Sequence, residues 1–586
     1  MAMLDRKVSD FRQSEDGAVA IIFSMSLIVI LGAVGAAIDY TRMSGVRAEL
    51  QAASDSAVLA GVPSYAGSGA ISEATKTAIR QALDGAMPGQ HPALKVKRSI
   101  NGQLCIDTSM VVKMLLPIMM SRGQINATAC AANNSTFEIA LALDNTGSMA
   151  ESAGGQSKMQ ALVAAATSLV GVVNPNPAKP NATISVVPFA GAVNVGSDFY
   201  YKGNAQWLDR FGASSIHWQN YARPAGAPWT PGSRFDLLSA MGATWGGCVE
   251  ERPAPYLTTD DAPSQGKPDT LFVPYVAPDD PGANTGGACY SFTPSGQYPA
   301  TPGCGSQYYS FNSYLNDDSG SCAAGDVYAT ADNNDPVSHG SGATKICKYK
   351  GQSVANVSSA ISGVNGGSGK FPAGPNLGCS IAPLTTLTND MSLITGSGGA
   401  LSKMAPNGDT SLLPGFMWAW RTISPHGPFA TTGASGNSSS IGAKRPKPYG
   451  QVNNTKIIVL MTDGFDHWVG NPYSPYQSMY SALGFYVNGR VSNYGGSSAG
   501  PTTAANYRAQ MDAALLEACS NAKAAGVHIY TVGFSVSSNP IDATGINVLQ
   551  TCASSASNSF IANDSGGIVS TFQQIANNIL SRRLTR

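Results

Sequence analysis

From Ala18 to Ile38 the chain runs for about 20 residues without a charge, AVAIIFSMSLIVILGAVGAAI, and at ~1.5 Å rise per residue a helix of that length covers the ~30 Å hydrocarbon core of a bilayer. No other feature constrains the architecture so strongly, because everything on either side is then divided between two compartments. The run is predicted to be a transmembrane helix over 18–38, preceded by a short cytoplasmic tail, 1–17. A cleaved secretory signal is the alternative, since AVGA at 33–36 offers small residues to a peptidase, although the apolar stretch is longer than an ordinary signal core. Flanking charges orient it weakly: Arg6, Lys7 and Arg12 precede it, and Arg42 and Arg47 follow.

All ten cysteines (105, 130, 248, 289, 304, 322, 347, 379, 519 and 552) lie beyond that span. Widely spaced, even in number and without Cys-x-x-Cys, they fit disulfides in an oxidising compartment better than a zinc or redox site, so the bulk of the chain is expected to be periplasmic or extracellular. Partly free, buried thiols are the other reading. Cys105 with Cys130 and Cys519 with Cys552 are the pairs suggested by proximity within one local module. Charged residues are only 12% of the chain and cancel to +0, which offers no basic field to nucleic acid.

Beyond the span, Met43, Val46, Leu50, Ala53, Ala57 and Ala60 recur three and four residues apart, the spacing of a narrow apolar seam. Residues 39–65 are read as a stem helix that rests on its own domain or joins other anchored helices. A small β-rich module is expected over 66–133, where VVKMLLPIMM and its surroundings alternate β-branched and polar residues. From 134 to 586 strands and helices alternate. FEIALAL, ATISVVPF, KIIVLM, VHIYTVGF and SFIA read as strands. SKMQALVAAATSLVGVV places Met159, Leu162, Ala166, Leu169 and Val173 on one helical face, and the helix ANYRAQMDAALLEACSNAKAAG is closed by Gly526. Such alternation implies an α/β fold, an open and mostly parallel sheet with helices on both faces. Two Gly-, Pro- and Tyr-rich stretches, about 200–380 and 467–503, interrupt it. The first holds six cysteines and is read as a disulfide-stapled insertion at the sheet's carboxyl edge.

Ligands of an open parallel sheet sit outside the carboxyl ends of its strands. There the first strand runs into LALDNTGSM, with oxygen side chains on alternate residues, Asp144, Thr146 and Ser148. KIIVLM ends in TDG, which supplies Asp463, and GDTSLLPGFMWAWR places Thr410 just before a helix that Pro414 suits. Carboxylate, hydroxyl and water oxygens match a small hard cation, Mg2+ or alternatively Mn2+ or Ca2+. Taken singly, Asp-x-Thr-x-Ser is no more than a turn with capping side chains. Three such motifs in order point to a metal centre.

An Asp-x-Thr-x-Ser segment ending a first strand, a Thr before a helix and a strand ending in Thr-Asp-Gly resemble the von Willebrand factor A domain and its metal-ion-dependent adhesion site. Thr146 stands where that family most often has Ser, and keeps the hydroxyl. The resemblance implies that Thr146, Ser148 and Thr410 donate hydroxyl oxygens, that Asp144 and Asp463 act directly or through water, and that one position stays open for an acidic group of a protein partner. The segment DGAVAIIFSMSLIVILGAVGAAIDYTRMSGVRAELQAASDSAVLAG resembles the N-terminus of the TadE/TadG-like proteins that accompany Flp (Tad) pili in bacteria, and GFMWAWRTISP and LMTDG are similar to segments of the TadG type. Processing at Gly17 is not expected, since Ile22 stands where processed pilins usually carry Glu. The two resemblances imply a single-pass inner-membrane protein of pilus or envelope assembly that binds and does not turn over. A metal-dependent hydrolase and a purely structural scaffold are the other two classes. His467, near Asp463 and Asp466, lacks any His-Glu-x-x-His or Gly-x-Ser-x-Gly context and reads as an exposed loop residue, and Trp418 and Trp420 read as core.

Overall fold

The computed structural model describes residues 15–65, 70–99, 103–114, 122–131, 136–176, 180–201, 205–220, 233–278, 349, 375–430, 446–451, 454–468, 478–494, 504–581 and 584–585. They form two compact units, Met1–Ser135 with Ile579–Arg586, and Thr136–Asn578.

The first unit is organised by helix α1, Glu15–Gly61, 47 residues long. Its surface changes character along its length. Between residues 22 and 38 large apolar side chains stand in the open, Phe23 at 66% and Leu31 at 57% exposure among them. Among the described residues no helix is long and apolar enough to cross a membrane; the side chains at 15–21, 28, 29 and 32, which punctuate the predicted span, lie outside them. Further along, Leu50, Ala53, Ala57 and Val58 share one core with Ile79 and Leu83 of α2 (Glu73–Ala86) and with Leu104, Ile106, Ile125 and Ala129. The stem seam therefore packs on its own domain, and Ala60, assigned to it from spacing, is exposed.

Strands β1 (Ala93–Arg98), β2 (Leu104–Lys113) and β3 (Arg122–Ala131) form an antiparallel sheet, to which Leu584–Thr585 adds a short edge strand. β3 alternates exposed and buried residues, the signature of a sheet covered on one face only. Cys105 and Cys130 stand opposite each other in register and are bonded. The module expected to be β-rich thus contains a helix that strand periodicity hides. Ser72 caps α2 by accepting from Thr75 N, and Ile79 and Leu83, one turn apart, supply its buried stripe.

In the second unit β4 (Thr136–Asp144), α3 (Lys158–Val173) and β5 (Ala182–Phe189) follow the sequence reading closely. A short ribbon pairs β6 (Val193–Asn194), just ahead of the first insertion, with β7 (Cys248–Val249) within it, where helix α4 (Arg234–Ala240) also lies. Then come β8 (Thr385–Thr388), α5 (Leu412–Ile423), β9 (Asn454–Thr462), α6 (Ala504–Ala524), β10 (His528–Phe534), α7 (Ala543–Cys552), β11 (Ser559–Ala562) and α8 (Ser565–Ser581). The sheet order is β11-β10-β9-β4-β5-β8. Five strands are parallel and β8 is antiparallel to β5, making a mixed sheet.

Strands β4, β5 and β9 are buried on both faces, which is why they read as mostly apolar runs without alternation, Glu138 of β4 pairing with Lys456 of β9 inside. Ala140, Ala142, Val187, Phe189, Ile458 and Leu460 share one core with residues of α5, α6 and α7, including Trp418 and Trp420. The alternate residues Ile139, Leu141, Leu143, Val459 and Met461 are equally buried. The remaining buried apolar stripes belong to α3 and α8, which touch where Gln573 Nε2 donates to Ser168 Oγ.

The described part of the first insertion is more than an excursion at the sheet edge. Trp207, Trp218, Phe235, Trp245 and Phe272 belong to the central core, and so do Leu483 and Val491 of the second insertion. Buried ion pairs join them: Arg234 with Glu250, Arg490 with Glu250 at 2.7 Å and Arg421 with Glu251 at 2.7 Å. The disulfide Cys248–Cys379 closes the first insertion and Cys519–Cys552 links α6 to α7. Cys289, Cys304, Cys322 and Cys347 lie outside the described residues.

Candidate metal centre

Parallel pairing places Leu143 of β4 opposite Met461 of β9. The residues that end both strands, Asp144 on one side and Thr462 and Asp463 on the other, are thereby brought together. Asp144 is fully buried. Its Oδ1 accepts from Thr146 N at 2.9 Å, turning the chain back on itself, and its Oδ2 accepts from Thr462 Oγ1 at 2.7 Å. The turn sets Thr146 Oγ1 3.0 Å from Ser148 Oγ, and Ser148 Oγ donates to Asp463 Oδ1 at 2.8 Å. Four of the five residues singled out in the sequence are thus linked through hydrogen bonds.

The fifth, Thr410, reaches the same edge on a loop laced to the other two by backbone hydrogen bonds. Gly147 N donates to Gly408 O at 2.9 Å, Asn407 N to Asn145 O at 2.7 Å, and His467 N to Thr410 O at 2.9 Å. A carbon placed on Gly464 would stand 3.9 Å from Thr410 Oγ1. Asp466 Oδ1 accepts from Leu412 N at 2.7 Å, so its side chain anchors the start of α5 just beyond Thr410. Gly147 and Gly408 are exposed while Asp144, Thr146, Thr410 and Asp463 are buried. The clustered oxygens thus lie buried next to two exposed glycines. Gly408 adopts φ +83°, a conformation that suits glycine there.

Burial, and then the charge of Asp463, push the Asp144 pKa up to about 7. A cation among these oxygens would offset both causes. Oxygens on adjacent corners of an octahedron about 2.1 Å from Mg2+ stand about 3.0 Å apart, and Thr146 Oγ1 and Ser148 Oγ have that separation. Each hydroxyl has a lone pair to offer while its proton serves a neighbour, as Ser148 does toward Asp463. The donor set, two carboxylates and three hydroxyls, fits a hard divalent ion. Among the described residues no group of three or more His, Cys, Asp or Glu is placed to hold a metal, so charge-rich or nitrogen- and sulfur-based centres of that kind are not seen there.

Lys158, which pattern reading passed over, belongs to the same cluster. Its Nζ lies 2.8 Å from Asp463 Oδ2 and 2.7 Å from Glu151 Oε2. The available signal is a lysine in the first turn of a helix whose neighbours Met159 and Leu162 face the core. His467 is 57% exposed and lies 3.5 Å from Asp409, which raises its pKa. Trp418 and Trp420 are core residues, the latter donating to Tyr449 Oη at 2.8 Å.

An open mixed α/β domain with a buried cluster of oxygen side chains at its carboxyl edge, following a long N-terminal helix, is the class of molecule these observations define. Residues 17–68 match the family of putative Flp pilus-assembly TadE/G-like proteins, so the chain carries that domain at its N-terminus. No curated protein matches the chain. Solved structures similar to it include the pilus adhesin SpaC from Lactobacillus rhamnosus GG, at 10% identity over 84% of this chain and 35% of that one, TM-score 0.30. The PilB minor pilin from Streptococcus sanguinis matches at 9% identity over 84% of this chain and 78% of that one, TM-score 0.29. The vWF domain of the type V pili tip protein Mfa5 from Porphyromonas gingivalis matches at 10% identity over 76% and 96%, TM-score 0.27. The chain thus spans about a third of the length of SpaC. Overlaps this loose carry no weight for the chemistry, which rests on the distances above.

Proposed function

We propose that this is a membrane-anchored, exported binding protein of Tad (Flp) pilus or envelope assembly, whose von Willebrand A-type domain holds a divalent cation through Asp144, Thr146, Ser148, Thr410 and Asp463 and uses it to capture an Asp or Glu carboxylate of a protein partner. Mg2+ is the first choice of ion, Mn2+ or Ca2+ the alternatives. The observation that carries the reading is the convergence of oxygen side chains from three loops, far apart in sequence, on one strand edge. A bound divalent ion would supply an electrophilic position that two carboxylates and neutral hydroxyls leave unsatisfied. The chain's own part is to hold those oxygens in a buried cluster beside the exposed Gly147 and Gly408.

Anchoring is supported by the exposed apolar side chains between residues 22 and 38, an arrangement that water disfavours and a bilayer accepts. The TadE/G-like segment covers the same residues, and three disulfides suit an oxidising compartment.

The test is calorimetric titration of the full-length protein with Mg2+ and Mn2+, then with a candidate pilus subunit present. Wild type should bind one ion, Ser148→Ala should bind at least about tenfold more weakly, and subunit binding should need the ion. Metal-independent capture, or no metal binding by a folded protein, would refute the proposal.

A further inference from the structure

The oxygen cluster contains a cation of its own. Lys158 is the first residue of α3 and is 0% exposed, as is the Asp463 side chain that it touches. The first helical turn is an unfavourable place for a positive charge, because its unpaired N–H groups already point there, and a buried ammonium is tolerated only with good partners. The local chain supplies them. Lys158 N donates to Glu151 O at 2.8 Å, and a bridge between Ser152 and Ser157 folds 151–158 into a closed excursion that returns the lysine to Asp463. Glu151 Oε2 takes the ammonium at 2.7 Å and also accepts from Asn539 Nδ2 at 3.0 Å.

The two oxygens of Asp463 are consequently divided. Oδ1 faces the hydroxyl of Ser148 and Oδ2 faces Lys158. Asp144 has neutral partners instead, the N–H of Thr146 and the hydroxyl of Thr462. Glu151 is 43% exposed, so water screens its charge, whereas the charges of Lys158 and Asp463 act on each other in the dry interior.

We propose that Lys158 is a positioning residue that tunes the metal centre. It reserves Oδ2, leaving Asp463 to serve the ion through Oδ1, and offsets one of the two carboxylate charges. The grip on the ion is thereby loosened, and the ion's appetite for a visiting carboxylate is kept. The inference rests on the divalent-cation reading above and adds the residue that sets the balance between ion and partner.

Full-length wild type, Lys158→Gln, Lys158→Met and Lys158→Arg would be titrated with Mg2+ and then, at saturating Mg2+, with a short Glu-containing peptide. An opposite charge at this range shifts an ionic equilibrium by about one to three powers of ten. The Gln variant, which keeps a hydrogen-bond donor, and the Met variant should therefore bind Mg2+ about tenfold or more tightly, and the peptide more weakly. The Arg variant, with its charge retained, should stay near wild type. Melting curves with and without Mg2+ extend the test to a variant of low stability, whose gain from Mg2+ should exceed that of wild type. Neutral variants that bind Mg2+ no better than wild type would overturn this inference alone. A wild type that binds no Mg2+ would overturn the cation reading and this inference with it.

Discussion

Replacing Asp144 with Asn should stabilise the metal-free protein above neutral pH and erase its response to Mg2+. Burial and the neighbouring Asp463 push the Asp144 pKa from 3.8 up to about 7. With the folded value above the unfolded one, the native state keeps a proton that the unfolded chain releases. The resulting stability is complete below about pH 4 and is lost as pH rises through about 7. At about 1.4 kcal/mol per factor of ten, ionising Asp144 withdraws roughly 4 kcal/mol. Asn removes that loss. It keeps one oxygen for Thr146 N and turns an amide toward Thr462 Oγ1, and giving up one acceptor costs about 1 kcal/mol, so the net gain is roughly 3 kcal/mol. Denaturant titrations in EDTA and in excess Mg2+, at about pH 5 and about pH 8, read the effect. In EDTA wild type should weaken between the two values by more than Asp144→Asn, which keeps only the losses from groups such as Asp512, pushed up to about 6 by burial, and is the more stable at the higher one. Added Mg2+ should restore wild type chiefly at the higher pH and leave the variant unmoved. A variant less stable than wild type in EDTA at pH 8, or equal stabilisation of both by Mg2+, would refute the reasoning.

Thr410→Val keeps the shape of the side chain and removes its oxygen; Mg2+ affinity should fall about tenfold with the melting temperature little changed, and calorimetry with circular dichroism checks both. Breaking Cys248–Cys379, which closes a separation of 131 residues, should cost about 5 kcal/mol by loop entropy, against about 3.5 for Cys105–Cys130 with its separation of 25; denaturant midpoints of the paired Ser variants give the comparison. Leu31→Arg alters an exposed side chain of α1, so the fold of the second unit should be untouched while the protein shifts from the membrane to the soluble fraction; unchanged fractionation would count against the anchor.

Legibility followed burial. FEIALAL, ATISVVPF and KIIVLM were readable because parallel strands covered on both faces are mostly apolar, the few buried polar residues finding partners inside, as Lys456 does with Glu138 and Ser185 with Thr422, and β5 begins and ends where the sequence pattern does. The edge strand β8, four residues of which two are only half-buried, left no such run, and α7 holds Gly545 and β-branched residues that dilute its helical signal. The insertion defied periodicity for another reason. Its order comes from aromatic anchors and from pairs such as Arg421 with Glu251, 170 residues apart in sequence, and a buried charge looks like a solvent-facing one until its partner is known. Lys158 is the same case inside the oxygen cluster, since Asp463 lies 305 residues further along the chain.

The oxygen cluster also shows why separated motifs can act as one. Its loops are tied chiefly through their backbones: Gly147 to Gly408, Asn407 to Asn145, Thr410 to His467, and Ser411 N to Ala190 O at 3.2 Å. Such bonds do not depend on which side chain each residue carries, so the oxygens of Thr146, Ser148 and Thr410 are held at fixed stations by groups that remain when any one of them is replaced. Little ordering is then left to be done when a ligand arrives, and the free energy of binding is spent on contact and not on assembly. It follows that losing one hydroxyl should weaken binding without loosening the fold, whereas Asp466, which fixes the start of α5 through Leu412 N from full burial, should do both when replaced by Ala. That difference separates residues that meet a ligand from residues that build its seat.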